Sequence, residues 1–191
     1  MIHSVCVVGA GRVGSAVAAR LEERGVELLE EGAELVLLCV PDRAIAEVFS
    51  VHPLQTIVRR RGPEQLDGAW AAVTAETSEA RELGFELARL LGLEPFELAD
   101  ADRPLYHAAA TFVSGYLVTL YRTAASLFEE VGAPPEALLP LMQRTIDNDF
   151  ELTGPIARGD WTTVESHAEA LRIRRPELEP LYRALAEATN A

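Results

Sequence analysis

The residues with the clearest chemical meaning come early: Gly9-Ala10-Gly11-Arg12-Val13-Gly14, a GxGxxG spacing. It follows an apolar run, residues 2–8. It precedes residues 12–24, in which Val13, Val17 and Leu21 fall on one helical face before Gly25. Between a strand and a helix, the first glycine permits a tight turn, the second lets the backbone approach a pyrophosphate, and the third lets helix and strand pack closely. The helix N-terminus adds free N–H groups and the positive end of its dipole. Gly9, Ala10, Gly11, Arg12, Val13 and Gly14 are the candidate cofactor-binding residues, for NADP or NAD. The alternative is a turn of the same shape that binds nothing. An acid about twenty residues on binds both ribose hydroxyls in such sites and favours NAD. Glu30, with Glu31 beside it, has that spacing. Only about five residues follow before the next apolar run, too few for a crossover helix. This favours reading the two acids as solvent residues of a short loop, beside a displaced or absent second strand. Val40, Pro41 and Asp42 end that next run, where doubly wound sheets bind ligands; Asp42 also suits a helix cap.

Acid–base chemistry rests on four histidines. His52 precedes Pro53 in what reads as a loop at the carboxyl edge of the sheet. His107 lies on an uncharged helix, either as a core residue or at the mouth of a cleft. His107 and His52 are the candidate catalytic residues. His3 reads as structural and His167 as solvent-facing. No histidine spacing suits a metal, and no GxSxG elbow is present. Every basic residue is an arginine, which excludes lysine chemistry. Arg59-Arg60-Arg61 is the one basic run; it could dock a phosphate or carboxylate, though a solvated loop is the readier reading.

These residues need a frame. Strand and helix signals alternate through the first half: strands at 2–8, 26–29, 35–40, 69–75 and 95–98, helices at 12–24, 42–49 and 77–91. Near-continuous apolar strands imply a doubly wound parallel sheet covered on both faces. From Asp100 onward only helical periods occur, at 100–131, 135–150, 160–172 and 176–189. The expected organisation is α/β then all-α: a reduced Rossmann-like domain over 1–98 and a helical domain over 99–191. From Pro104 to Tyr121, eighteen residues carry no charge. That length barely spans a bilayer, and a buried helix is the better reading. A helix apolar on all sides must be covered all round, by a small bundle or by a second copy across a dimer interface. Among 191 residues, 30 are acidic and 17 basic, a formal charge of −13 that disfavours nucleic acid and anionic membranes as partners. Cys6 and Cys39 sit in apolar runs as buried thiols, without a disulfide framework. The run before the glycine motif lacks a basic start and reads as a strand, so a cytoplasmic location is expected.

The segments VCVVGAGRVGSAVAARL, LVLLCVPDRAIAEV, HPLQTI, DRPLYHAAATFVSGYLVTLY and ELTGPIARGD together resemble proteins with a Rossmann-like domain followed by a DUF2520 domain. These belong to the 6-phosphogluconate dehydrogenase-like superfamily, near NADP oxidoreductases of the F420-dependent type. The resemblance covers nearly the whole chain. It implies an N-terminal dinucleotide domain, a helical C-terminal domain, a dimer formed largely through the latter, and NADP as cofactor. Three departures stand out. The helix after the second strand is missing. So are the strand and helix before HPLQ, with the His-Cys-Ser-Gly-like loop they usually carry near the nicotinamide. Gly115 stands where the family usually has asparagine.

Two readings follow. The first is a dimeric NAD(P)-dependent oxidoreductase acting on a small molecule. Its pyrophosphate would lie on Gly9–Gly14, with Val40, Pro41 and His52 beside the nicotinamide and the substrate between the domains near His107. The second is a Rossmann-like dimer that binds a nucleotide or a protein without catalysis, which the three departures favour. An open crevice above Gly11 supports the first, a blocked one the second.

Overall fold

The computed structural model describes residues 2–39 and 49–190. The first element, β1 (Ser4–Val8), runs into the glycine turn, and α1 (Arg12–Glu23) leaves it. The helix ends where expected: Gly25 takes φ 74°, and Val26 N–H closes the last turn on the Leu21 carbonyl. The second strand is present: β2 (Glu27–Leu28) pairs in parallel with β1, Leu28 opposite Val5. On the other side of β1 lies β3 (Leu35–Leu38), also parallel, with Leu35 opposite the same Val5. The order β2-β1-β3 explains how a six-residue link replaces a crossover helix. Because β2 stops at the level where β3 begins, the link need only cross β1 sideways, two strand spacings of about 5 Å each. It passes over Cys6, whose thiol lies 3.5 Å from the Glu30 carbonyl. It is tied at Glu34, which accepts a hydrogen bond from His3 N–H at 2.8 Å and donates its own N–H to Ser4 Oγ at 3.1 Å. The His3 N–H holds the Glu34 carboxyl below the usual carboxylate range.

This short link corrects the expectation of a sheet covered on both faces. Cys6 and Val8 pair with Val36 and Leu38, so the four share a face, and Val8, Val36 and Leu38 are all exposed. Cys6 and Cys39 are free and half-buried rather than fully buried thiols.

A second sheet has the order β4-β5-β6, from β4 (Phe49–Pro53), β5 (Trp70–Ala75) and β6 (Glu94–Glu97). β5 and β6 are parallel and joined through α2 (Ser78–Leu90), capped by the Thr77 hydroxyl on Ala80 N–H. β4 is antiparallel to β5. His52 thus sits on a strand, not in the loop expected for it. The segment Phe49-Ser50-Val51-His52-Pro53 alternates apolar and polar residues, with Phe49 and Val51 packed against the core; it is short and ends on proline, and pairing with the buried strand β5 completes it. The expected helix over 42–49 falls on residues outside those described, up to Phe49, which begins β4.

One core joins the two sheets. Val5, Val17, Leu21, Leu66, Leu87 and Leu91 are almost fully buried within it. At its rim lies Arg20, 6% exposed, whose guanidinium donates to the Pro63 carbonyl at 2.7 Å and meets Asp67 at 2.6 Å. It ties α1 to the short 3-10 turn Pro63–Leu66. Hydrogen bonds to a charged group contribute about 1.5–3 kcal/mol each; the half-exposed Asp67 places its own share at the low end.

The uncharged segment is not one long helix. It forms α3 (Arg103–Val113) and α4 (Gly115–Glu130), broken at Ser114 with φ −121° and ψ −78°. Thr111 and Ser114 hydroxyls donate back to the His107 and Ala110 carbonyls, at 2.8 and 2.7 Å, a pattern that bends helices, and Gly115 follows. Neither helix contains a buried residue within the single chain, which corrects the expectation of cover by a small bundle of the same chain. Leu105, Phe112 and Val113 are 66–75% exposed. No helix among the described residues is long and apolar enough to cross a membrane.

The chain packs as two units, 1–119 and 120–191. Secondary structure changes from α/β to helical after β6, and α3 packs with the first unit. The second unit holds the end of α4 with α5 (Leu138–Asp147), α6 (Gly154–Ala157), α7 (Trp161–Arg174) and α8 (Glu179–Thr189). Arg183 of α8 joins it to α7 through Glu165 and also pairs with Glu179 of its own helix. The TGPIARGD segment builds a corner: Gly154 and Gly159 take positive φ, and the Asp160 carboxylate caps α7 on Thr163 N–H.

Candidate functional site

The glycine turn has the geometry that its spacing predicts. Gly9 has φ 112°, in the region that favours glycine. A Cβ at Gly14 would stand 1.8 Å from the Gly9 carbonyl oxygen and 3.0 Å from Cys39 Cβ, so helix and turn touch there without room for a side chain. A Cβ on Gly11 would meet nothing within 4 Å among the described residues. Gly11 is the N-cap of α1; no side chain caps this end, and its first turn carries no acid. Its first-turn N–H groups carry no side-chain cap at the positive end of the helix, and a pyrophosphate fits that donor set. Glu30 lies just past β2. Val40, Pro41 and Asp42 are outside the described residues.

A second group of residues assembles from both halves of the sequence within the first unit. His52 on β4, Ala72 on β5 and Phe96 on β6 are in register across the sheet, so His52 and Phe96 share a face with only an alanine between them. Over that gap α3 brings Tyr106 and His107. The Tyr106 ring stands edge-on to both, with centroids 5.5 Å from His52 and 6.0 Å from Phe96. The Tyr106 hydroxyl shares a 2.9 Å hydrogen bond with His52 Nδ1. The imidazoles of His52 and His107 lie 4.8 Å apart by ring centroid. Burial pushes the Tyr106 phenol up, so it holds its proton at neutral pH.

The two histidines singled out in sequence, 55 positions apart, are therefore neighbours. Tyr106, which completes the cluster, was not among the candidates. Its position beside His107 in LYHAAA was the available signal. The other histidines lie elsewhere: His3 precedes β1, and the exposed His167 shares a 2.9 Å hydrogen bond with Tyr182. No group of His, Cys, Asp or Glu among the described residues could hold a metal ion.

Comparison with known families gives one match, "Domain of unknown function (DUF2520)", over residues 69–189. The chain belongs to the DUF2520 family. The match takes in β5, α2 and β6 with all the helices from α3 to α8, so Tyr106 and His107 lie inside it and His52 outside. No curated protein matches this DUF2520 chain in sequence. Among solved structures, one from Bacteroides fragilis, whose name assigns it provisionally to the NADP oxidoreductases, is similar at a TM-score of 0.79 and 19% identity, over 99% of this chain and 98% of that one. A protein from Thermotoga maritima is similar at 0.70 and 20% identity, over 98% and 100%. An NADH-preferring ketol-acid reductoisomerase from an uncultured archaeon is similar at 0.57 and 15% identity, over 98% and 82%. At these identities the likeness establishes the fold: a Rossmann-like α/β part followed by helices.

Proposed function

We propose that this DUF2520 protein is an NAD(P)-dependent oxidoreductase acting on a small molecule. The observation that carries the reading is the glycine turn: left-handed at Gly9, closed at Gly14, and open at Gly11 over an uncapped helix N-terminus. The names of the Bacteroides fragilis and archaeal neighbours support a nicotinamide cofactor. A bound nicotinamide would supply or accept a hydride. The chain would hold the pyrophosphate on the α1 amides. It would hold the accompanying proton on His107 or His52, side chains whose ordinary range spans neutrality. Tyr106, through its hydrogen bond, fixes the ring orientation of His52. The shortened link supports the second reading, a non-catalytic nucleotide or protein binder; the open space at Gly11 weighs against it.

The test is direct binding of NADH and NADPH to the purified protein by calorimetry. The expected result is micromolar affinity for at least one, reduced at least a hundredfold by Gly11→Asp, which sets a carboxylate where the pyrophosphate lies. No binding of either at millimolar concentration would sink the reading.

The same reading includes a homodimer formed through the helices after residue 99. Support comes from the apolar, uncovered faces of α3 and α4, since monomers rarely expose contiguous apolar surface of that extent. In sedimentation the protein is expected to run at twice its 20.8 kDa, and Phe112→Glu at its monomer mass. A monomeric wild type would exclude this assembly.

A further inference from the structure

Beside the glycine turn, between α1 and residues 58–65, lies a cavity of about 280 Å³. Its α1 wall carries Arg12, Ser15, Ala16 and Ala19; its other wall carries Arg59 and Arg61. Three arginines thus line one concavity in a chain of charge −13. Among the described residues none of the three has an ion pair or a side-chain hydrogen bond, although arginines elsewhere, such as Arg172, Arg175 and Arg183, are paired with carboxylates. Arg60, the middle residue of the run, does not line the cavity.

The wall is built. Gln65 accepts from Val58 N–H at 2.8 Å and donates to the Val58 and Gly62 carbonyls at 3.1 and 2.9 Å, closing the loop that presents Arg59 and Arg61. The nearest acid in that loop, Glu64, turns its carboxylate onto Gly62 N–H at 3.1 Å and does not line the cavity. The buried Arg20, through Pro63 and Asp67, holds the loop against α1, so both walls are kept at a fixed spacing. Ala10, Ala16, Ala19 and Gly62 add small residues to a lining completed by Ser15, Val58, Pro63 and Gln65. Guanidiniums are planar, permanently charged donors matched to phosphoryl oxygens, and three together offset a dianion better than they suit a single carboxylate.

We propose that this cavity is a binding site for a phosphate monoester group, distinct from the amide cradle at Gly11. The phosphoryl group belongs either to a 2′-phosphorylated nucleotide or to a phosphorylated small molecule. The site does not depend on the oxidoreductase reading. The test is calorimetric binding of inorganic phosphate at low salt to the full chain, comparing wild type with Arg59→Gln/Arg61→Gln. Both positions are exposed, and an unchanged melting temperature verifies folding. The expected result is saturable binding that weakens with added salt and falls at least tenfold in the variant. Absence of saturable binding, or equal binding by the variant, overturns the proposal. Comparing 2′,5′-ADP with 5′-AMP then separates the sources. A wild-type preference for 2′,5′-ADP that disappears in the variant assigns the site to the nucleotide. Equal binding of the two, with phosphate still held by wild type and not by the variant, assigns it to a phosphorylated small molecule. Phosphate binding without NADH or NADPH binding would leave this site standing and the oxidoreductase reading not; the reverse pattern would do the opposite.

Discussion

Gly14→Ala is expected to lower the stability of the protein by about 3 kcal/mol or more, at the upper end of what overpacking costs. The reason is geometric: the added methyl would stand 1.8 Å from the Gly9 carbonyl oxygen, and neither that oxygen nor Cys39 Cβ, at 3.0 Å, belongs to a side chain able to swing away. Relief requires α1 to move off β1, and Val17 and Leu21, buried under the same helix, would move with it. Gly11→Ala is the matched control. Gly11 has φ −72° and open space around it, so alanine there should leave stability within about 0.5 kcal/mol of wild type. Chemical denaturation of the pair checks both. Equal stability of the two variants would mean that the turn is not packed as described.

His107→Gln and His52→Gln are expected to lower kcat by about 10²–10⁴-fold, the range for removing a general acid or base, on whatever substrate a screen with NADH or NADPH identifies. KM and cofactor affinity should change little, because glutamine retains polar atoms and the glycine turn is a separate element. Tyr106→Phe removes the hydrogen bond to His52 Nδ1 but keeps the ring that packs on His52 and Phe96, so about a tenfold loss is expected, carried by kcat. The pH profile separates these roles. Burial disfavours the charged phenolate, so Tyr106 gives up its proton only above the ordinary tyrosine range. An alkaline fall in activity due to Tyr106 would lie above that range and be absent from Tyr106→Phe. Full activity in both histidine variants would remove the cluster from the mechanism.

Much of this was legible because local signals and tertiary packing agree. Val13, Val17 and Leu21 between a glycine turn and Gly25 place α1 to within a residue. Thr77 and Gly92 bracket α2, and apolar runs mark β1, β3 and β5. What escaped reading depends on partners distant in sequence. β4 alternates apolar and polar residues but is five residues long and ends on proline, and its antiparallel pairing with β5 is what a reading along the chain cannot supply. The break at Ser114 needs two hydroxyls to turn back onto carbonyls, which helical periodicity does not report. The site divides in the same way. His52 and His107 were recognisable as residue types, but their meeting comes from the register of β4, β5 and β6 and from where α3 lies. Arg59 and Arg61 read as a charged loop until α1 supplies the opposite wall.

The order β2-β1-β3 also bears on how the chain reaches its fold. Closing a loop costs roughly 0.6 kcal/mol more for each doubling of its length, and local pairings form faster than distant ones. With six residues in place of a crossover helix, the widest pairing in this sheet, Val5 with Leu35, spans only about thirty residues. All three strands and α1 are in hand once Leu38 has been synthesised. The pairings that shape the glycine cradle are thus all local, whereas the core beneath α1 waits for Leu66, Leu87 and Leu91.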